Sequence, residues 1–337
     1  MNRRYIMKKI GVLTSGGDSQ GMNAAVYATV RYAREAGLKV YGIKNGYQGL
    51  IDGEVVELSV RDVENIAHRG GTVLGTARCL DMKNPEGQAK AVATLKKHGI
   101  EGLVVIGGDG SFAGAKVLST QYGIKTVGIP GTIDNDLAYT DFTLGFDSAV
   151  TVVVNAVKGL RDTMGCNGRS CVVEVMGRDC GDIALYAALA TGAEAVVVPE
   201  LGYDREKLAN RIERNVKAGK LDNIVIVSEG IRSDGTLDKG KEADKVAADL
   251  LKRLPNLNVR TMVIGHLQRS GDATVEDTLL GIRMGAHAVN CLVSGKTNRV
   301  IGIHNDQIFD EDIVEALAKT RTFDAATYEL AEKLSQY

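Results

Sequence analysis

The sequence predicts an α/β protein of two doubly wound, three-layer α/β/α lobes with largely parallel sheets and a cleft between them. Two observations carry this expectation. Short β-branched runs alternate with helix-period segments from one end of the chain to the other, as in parallel strands covered by helices on both faces. The runs are also too many for one small sheet: Lys9–Leu13, Lys39–Ile43, Gly102–Ile106, Thr126–Ile129, Cys171–Val175, Ala195–Val198, Asn223–Val227, Thr261–Ile264 and Arg299–Ile303. A break after Asp136, followed by a helical pattern from Asp147 to Thr163, opens the second lobe.

A chain of 337 residues, 44% hydrophobic and 25% charged, is long enough to bury two cores. Its prolines, at 85, 130, 199 and 255, form no linker, so a compact body is expected rather than two tethered domains. Lys and Arg number 41 against 42 Asp and Glu, leaving a net charge of -1. That balance gives no footprint for nucleic acid or an anionic membrane.

No apolar run approaches the ~18 residues of a membrane span. The Met1–Met7 leader is polar rather than a signal peptide, and Met7 could equally be the natural start. A cytoplasmic protein is expected. Five cysteines with no CxxC pair fit reduced thiols better than a disulfide frame or a zinc site.

The elements end in a repeated way. Val12-Leu13-Thr14-Ser15-Gly16-Gly17-Asp18 and Val105-Ile106-Gly107-Gly108-Asp109-Gly110-Ser111 each place Gly-Gly-Asp after a strand and before a helix. Paired glycines let the backbone turn tightly and approach a ligand, while the following helix aims free N–H groups at the same point. Both turns are candidate phosphate sites.

The run Thr126–Asp136 ends a buried strand at Pro130-Gly131 and continues as Thr132-Ile133-Asp134-Asn135-Asp136. This offers a general base, a metal partner and a phosphate donor within one turn. Three further strands end in Met176-Gly177-Arg178-Asp179, Ser228-Glu229-Gly230 and Gly265-His266-Leu267-Gln268-Arg269-Ser270-Gly271. In doubly wound sheets ligands collect at the carboxyl ends of strands. A single Gly-Gly-Asp is most often a structural turn, and an isolated His266 or Glu229 a hydrogen-bonded core group or a solvated strand end. These polar strand ends together are hard to explain by packing.

Other features read as structural. His68, His98, His287 and His304 are assigned no role, Lys96-Lys97-His98 reads as a helix C-terminus, and Gly235–Lys241 as an exposed loop. Neither the Walker pattern nor the dinucleotide Gly-x-Gly-x-x-Gly follows a strand, which weakens P-loop hydrolysis and hydride transfer. Paired acids, glycine turns and scattered arginines suit phosphoryl transfer, in which alignment and charge neutralisation do most of the catalysis.

On Thr14–Asp18, Gly107–Ser111, Pro130–Asp136, Glu174–Arg178 and Gly265–Arg269, the chain resembles the bacterial ATP-dependent 6-phosphofructokinases from Ile10 to about Ile313. The resemblance implies phosphorylation of fructose 6-phosphate at its 1-hydroxyl by ATP, the committed step of glycolysis, with Asp134 as general base. It gives Thr132, Asp136 and Arg178 to the catalytic set. Gly17, Arg78, Cys79, Gly108, Asp109, Gly110 and Ser111 match ATP contacts, with Asp109 as the Mg²⁺ ligand.

The sugar phosphate falls to Thr132, Ile133, Asp134, Met176, Gly177, Arg178, Glu229, His266, Leu267, Gln268 and Arg269. Arg169 and Arg260 are expected to reach it from a neighbouring subunit of a homotetramer. A nucleotide-binding lobe of 1–145 and about 260–318, and a sugar-phosphate-binding lobe of 146–259 and about 319–337, follow from the same likeness. Relatives that use pyrophosphate carry Asp and Lys at the positions of Gly110 and Gly131, so small residues there favour ATP.

The chain departs from the resemblance in its effector site. Tyr27, Ala218 and Leu221 stand where basic residues are usual, while Arg31, Arg161, Lys220 and Glu194 remain. A weakened response to ADP and phosphoenolpyruvate is expected. Gln20 and Ser270 replace a usual Pro and Gly, and the chain carries additional residues between Glu229 and Arg260, Ser233–Lys241 among them. Two alternatives stay open: a NAD or lipid kinase, which shares the Gly-Gly-Asp-Gly turn but lacks the Thr-Ile-Asp-Asn-Asp run, and a non-catalytic sugar-phosphate sensor.

Overall fold

The structure is a computed structural model that describes residues 7–335. The polar leader ahead of Met7 lies outside the described residues. Eleven strands are found among them: β1 (Lys9–Thr14), β2 (Lys39–Ile43), β3 (Val55–Leu58), β4 (Gly102–Gly107), β5 (Lys125–Pro130), β6 (Ser170–Val175), β7 (Ala195–Val197), β8 (Ile224–Ser228), β9 (Val259–Val263), β10 (Arg299–His304) and β11 (Gln307–Asp312). The chain divides into two compact units. The first holds the chain up to Ile133, then Leu137–Asp147 and Arg269–Arg321; the second holds Asp134–Asp136, Ser148–Gln268 and the chain from Thr322.

The first unit is built on a seven-stranded sheet in the order β11-β10-β5-β4-β1-β2-β3. The five inner strands run parallel, and both edges are antiparallel. Side chains alternate faces along each strand. Ile10, Val12, Val104, Ile106, Val127 and Ile129 therefore enter one core with the helices Met22–Glu35 and Val275–Val293, while Leu13, Leu103 and Val105 enter another with Leu95, Phe112 and Leu118. This double burial is why the inner strands read as continuous apolar runs.

β3 and β11 were not expected. Both are edge strands: Val55-Val56-Glu57-Leu58 has two exposed positions, and Gln307–Asp312 mixes acids with only half-buried apolar groups. Such a strand needs little hydrophobicity because one neighbour satisfies its backbone. The helix Pro85–His98 closes with Lys96, Lys97 and His98 in its last turn, where positive charge meets free carbonyls.

The second unit carries a four-stranded parallel sheet, β7-β8-β6-β9. Its core gathers Val172, Val197, Val225 and Val227 from the sheet, with Leu208, Ile212, Val246 and Leu250 from the helices Arg205–Lys217 and Glu242–Arg253. The return to the first unit falls at Arg269, later than the expected point near 260, because β9 pairs in register with β6. No helix of the described residues is long and apolar enough to cross a membrane.

Candidate active site

In the first unit β1, β4 and β5 are parallel neighbours, so their carboxyl ends and the turns that follow lie side by side. Ser15 N–H donates to the Ile106 carbonyl at 2.9 Å, Gly131 N–H to the Gly107 carbonyl at 3.0 Å, and Ser111 Oγ to the Ser15 carbonyl at 3.1 Å. The buried Tyr47 hydroxyl donates to the Ser111 carbonyl at 2.7 Å. These bonds fuse both Gly-Gly-Asp turns and the Pro130-Gly131-Thr132 corner into one rigid shelf.

Gly16 takes a φ of +91°, open mainly to glycine, and turns the chain back after β1. Gly108 precedes the helix Asp109–Tyr122, so Asp109 stands exposed in its first turn. Thr14 Oγ1 binds the Gly75 carbonyl at 2.8 Å and Thr76 Oγ1 the Gly16 carbonyl at 2.7 Å, which anchors the loop that presents Arg78 and Cys79. Arg78 is exposed, and burial pushes the Cys79 thiol up, which favours a neutral group over a nucleophile.

The two glycines tied to donor choice differ. A Cβ on Gly110 would meet nothing within 4 Å, whereas one on Gly131 would lie 2.9 Å from Ile106 and 3.0 Å from Met22. The space expected at Gly131 is therefore core, and only Gly110 opens outward. Arg269, expected at the sugar phosphate, donates from its guanidinium to the Asp18 carbonyl at 2.6 Å and lies over Gly17, where a Cβ would collide with it.

In the second unit Asp134 is 2% exposed and its Oδ2 lies 3.1 Å from Arg178 Nε; Arg178 Nη1 lies 3.8 Å from Asp136. Between the two acids Asn135 adopts φ 52° and donates to Asp182 Oδ2 at 2.9 Å, while Cys180 Sγ reaches its carbonyl at 3.8 Å. Asn135 and Asp182 therefore fix the backbone of the acid pair. Sequence reasoning missed Asp182 because nothing local marks it beyond its place at a helix start.

β6 ends in Met176-Gly177-Arg178, with φ of 129° at Gly177 and 53° at Arg178. Left-handed backbone at a bulky residue such as Arg178 costs energy and concentrates at functional sites. Here Arg178 N–H donates to Glu229 Oε1 at 3.0 Å, and Met176 N–H to Gln268 Oε1 at 3.2 Å. The turn after β9 adds His266 and Leu267, both exposed. The structure thus brings Asp134, Asp136, Met176, Gly177, Arg178, Glu229 and Gln268 together within one unit.

Arg260 lies on the edge strand β9 opposite Cys171, and Arg169 stands just before β6, whose Ser170 pairs with Val259. The Nε of Arg169 is buried without a hydrogen-bond partner, and Arg260 is exposed. The effector candidates fall into two groups. Tyr27 and Arg31 stack on each other at 5.4 Å in the first unit. In the second, Glu194 receives Arg161 at 3.3 Å, Lys220 at 3.2 Å and the Ile224 N–H at 2.7 Å, so its carboxylate is already saturated.

The model of the phosphofructokinase family matches residues 9–292. An ATP-dependent 6-phosphofructokinase of Clostridium tetani is 52% identical over 98% of this chain and 100% of its own length, and one from Thermoanaerobacter sp. is 49% identical over the same shares. Among solved structures, phosphofructokinase from Saccharomyces cerevisiae aligns at TM-score 0.86 and 34% identity over 97% of this chain and 48% of that one. A pyrophosphate-dependent phosphofructokinase from Nitrosospira multiformis, 22% identical, shares the fold at TM-score 0.84 over 98% of this chain and 92% of its own. This chain belongs to the phosphofructokinase family.

Proposed function

We propose that this protein transfers the γ-phosphoryl group of ATP to the 1-hydroxyl of D-fructose 6-phosphate, giving fructose 1,6-bisphosphate and ADP, with Asp134 as general base. The observation that carries the role of Asp134 is its burial beside Arg178. A general base must be anionic, and the Arg178 guanidinium lies at ion-pair distance from this carboxylate. Arg178 then serves the same carboxylate and the phosphoryl in flight, whose charge a planar guanidinium matches.

Thr132, at the shelf beside Gly108, and Ile133 complete the run that meets the reacting oxygens. Gly17, Gly108 and Gly110 offer backbone N–H groups to the nucleotide, Gly110 leaves it space and Ser111 closes the turn, with Arg78 and Cys79 on the anchored loop. The exposed carboxylate of Asp109, at a helix start with open space at Gly110, fits Mg²⁺ held by one acid and substrate phosphates. When bound, that ion neutralises phosphate charge.

Met176, Gly177, Glu229, His266, Leu267, Gln268 and Arg269 hold the sugar phosphate. The lobe of Asp109 is accordingly the nucleotide lobe and that of Glu229 the sugar-phosphate lobe. A homotetramer is supported by β9, an edge strand whose Arg260, Thr261, Met262 and Val263 are all exposed, as a face covered by a second copy requires. In this reading the exposed Arg260 of that strand, together with Arg169 just before β6, reaches a neighbour's sugar phosphate. The protein would act in the cytoplasm, where free thiols such as Cys79 and Cys166 stay reduced.

The test is phosphoryl transfer from ATP or pyrophosphate to a panel of hexose monophosphates. ATP with fructose 6-phosphate should be the productive pair; turnover with pyrophosphate alone would overturn the donor assignment, and absence of turnover the activity.

A further inference from the structure

The connection after β8 is long and exposed, yet it is tied down at four points within its own unit. Arg232 Nη2 bonds Asp179 Oδ1 at 2.9 Å, and Ser233 N–H donates to the buried Glu242 at 2.9 Å. Lys239 Nζ lies 3.3 Å from Glu229 Oε1, and Gly240 N–H donates to Glu174 Oε1 at 2.6 Å. The other oxygen of Glu174 accepts from Ala243 N–H at 3.0 Å. Glu174 sits on β6, 2% exposed, and burial raises its pKa, so the protein keeps a costly carboxyl in the core to hold this loop.

The consequence falls on Lys239. Its neighbour Gly240 is pinned to the strand whose next residues are Val175, Met176, Gly177 and Arg178, so the lysine is delivered to one place. There it meets Glu229 Oε1, the same atom that accepts the Arg178 N–H, while Arg178 in turn pairs with Asp134. The ammonium remains 51% exposed, against 8% for Glu229. A half-open cation on a nearly buried acid is poorly suited to stabilising the fold, since its solvent screening is high. It is well suited to orienting that acid toward a ligand.

We propose that Lys239 is a substrate-positioning residue: carried on a loop clamped by Glu174, it holds the Glu229 carboxylate in the orientation that accepts a sugar hydroxyl. The proposal rests on the assignment of Glu229 to the sugar-phosphate site. Charge-assisted hydrogen bonds to a buried acid fix geometry as well as adding affinity. Loss of Lys239 should therefore weaken sugar binding and leave the nucleotide and the chemical step alone.

The experiment compares wild type, Lys239→Met and Lys239→Arg in steady-state assays with ATP and fructose 6-phosphate. It also follows the rise in Tm that fructose 6-phosphate alone produces. The expected result is a KM for fructose 6-phosphate raised roughly five- to tenfold in Lys239→Met, with a reduced ligand-induced Tm rise. The kcat, the KM for ATP and the Tm without ligand stay at wild-type values, and Lys239→Arg recovers most of the sugar affinity. An unchanged KM and Tm rise would overturn the proposal, as would losses in Tm without ligand, kcat and both KM values together, which mark a purely structural loop. Wild type that fails to turn over fructose 6-phosphate would instead overturn the activity itself.

Discussion

Arg178 Nε lies 3.1 Å from Asp134 Oδ2, and the arginine reaches that position from a left-handed backbone with φ 53°. The strain is offset by the Arg178 N–H bond to Glu229 and by the absence of a side chain at Gly230, where a Cβ would collide with the Arg178 carbonyl. Replacing Arg178 with Lys keeps the charge and loses the fork that faces two acids. The kcat of Arg178→Lys should fall by roughly 10²-fold with KM for ATP little changed, as for removal of one transition-state donor. Steady-state kinetics check this.

Donor choice should depend on Gly110 without cost to the fold. Because a side chain there meets open space, Gly110→Asp should retain the wild-type Tm while losing at least about 10²-fold in kcat/KM for ATP. Gly131→Ala, pressed against Ile106 and Met22, should instead lose about 1–3 kcal/mol of stability in denaturant unfolding.

Acid stability should trace to Asp310. Burial alone would raise its pKa, but bonds from Lys296 at 2.8 Å, His287 at 3.0 Å and Arg299 at 2.7 Å overcome that and hold it below the usual carboxylate range. A depressed carboxyl contributes stability above its unfolded pKa and loses it as pH falls through the folded value. Asp310→Asn should therefore lower stability by about 1–3 kcal/mol near neutrality, and its deficit should shrink as pH is taken from about 5 toward 2. Thermal melts of both proteins across that range read the effect.

Regulation by anionic effectors should be weak. Arg161 and Lys220 are both engaged by Glu194, and Tyr27 stacks on Arg31. The saturation curve for fructose 6-phosphate should move less than about twofold with saturating ADP or phosphoenolpyruvate.

Much of this was legible in the sequence for local reasons. The inner strands announce themselves through runs such as Gly102–Gly107 because both faces are buried, and Gly107–Ser111 reads as a candidate ligand turn only in company with the other polar strand ends. β3 and β11 were illegible because edge strands tolerate charge. The place of Arg260 opposite Cys171 depends on the β6–β9 register, which no local pattern encodes. The inward aim of Gly131, the seat of Arg269 on Gly17 and the delivery of Lys239 by Glu174 are likewise products of contacts far apart in the chain.

The most direct test of the account is single-turnover transfer of labelled phosphate from ATP to fructose 6-phosphate by wild type and Asp134→Asn. The variant should bind both substrates with near-normal affinity and transfer phosphate roughly 10²–10⁴-fold more slowly, the loss expected of a missing general base. Transfer at the wild-type rate would contradict it.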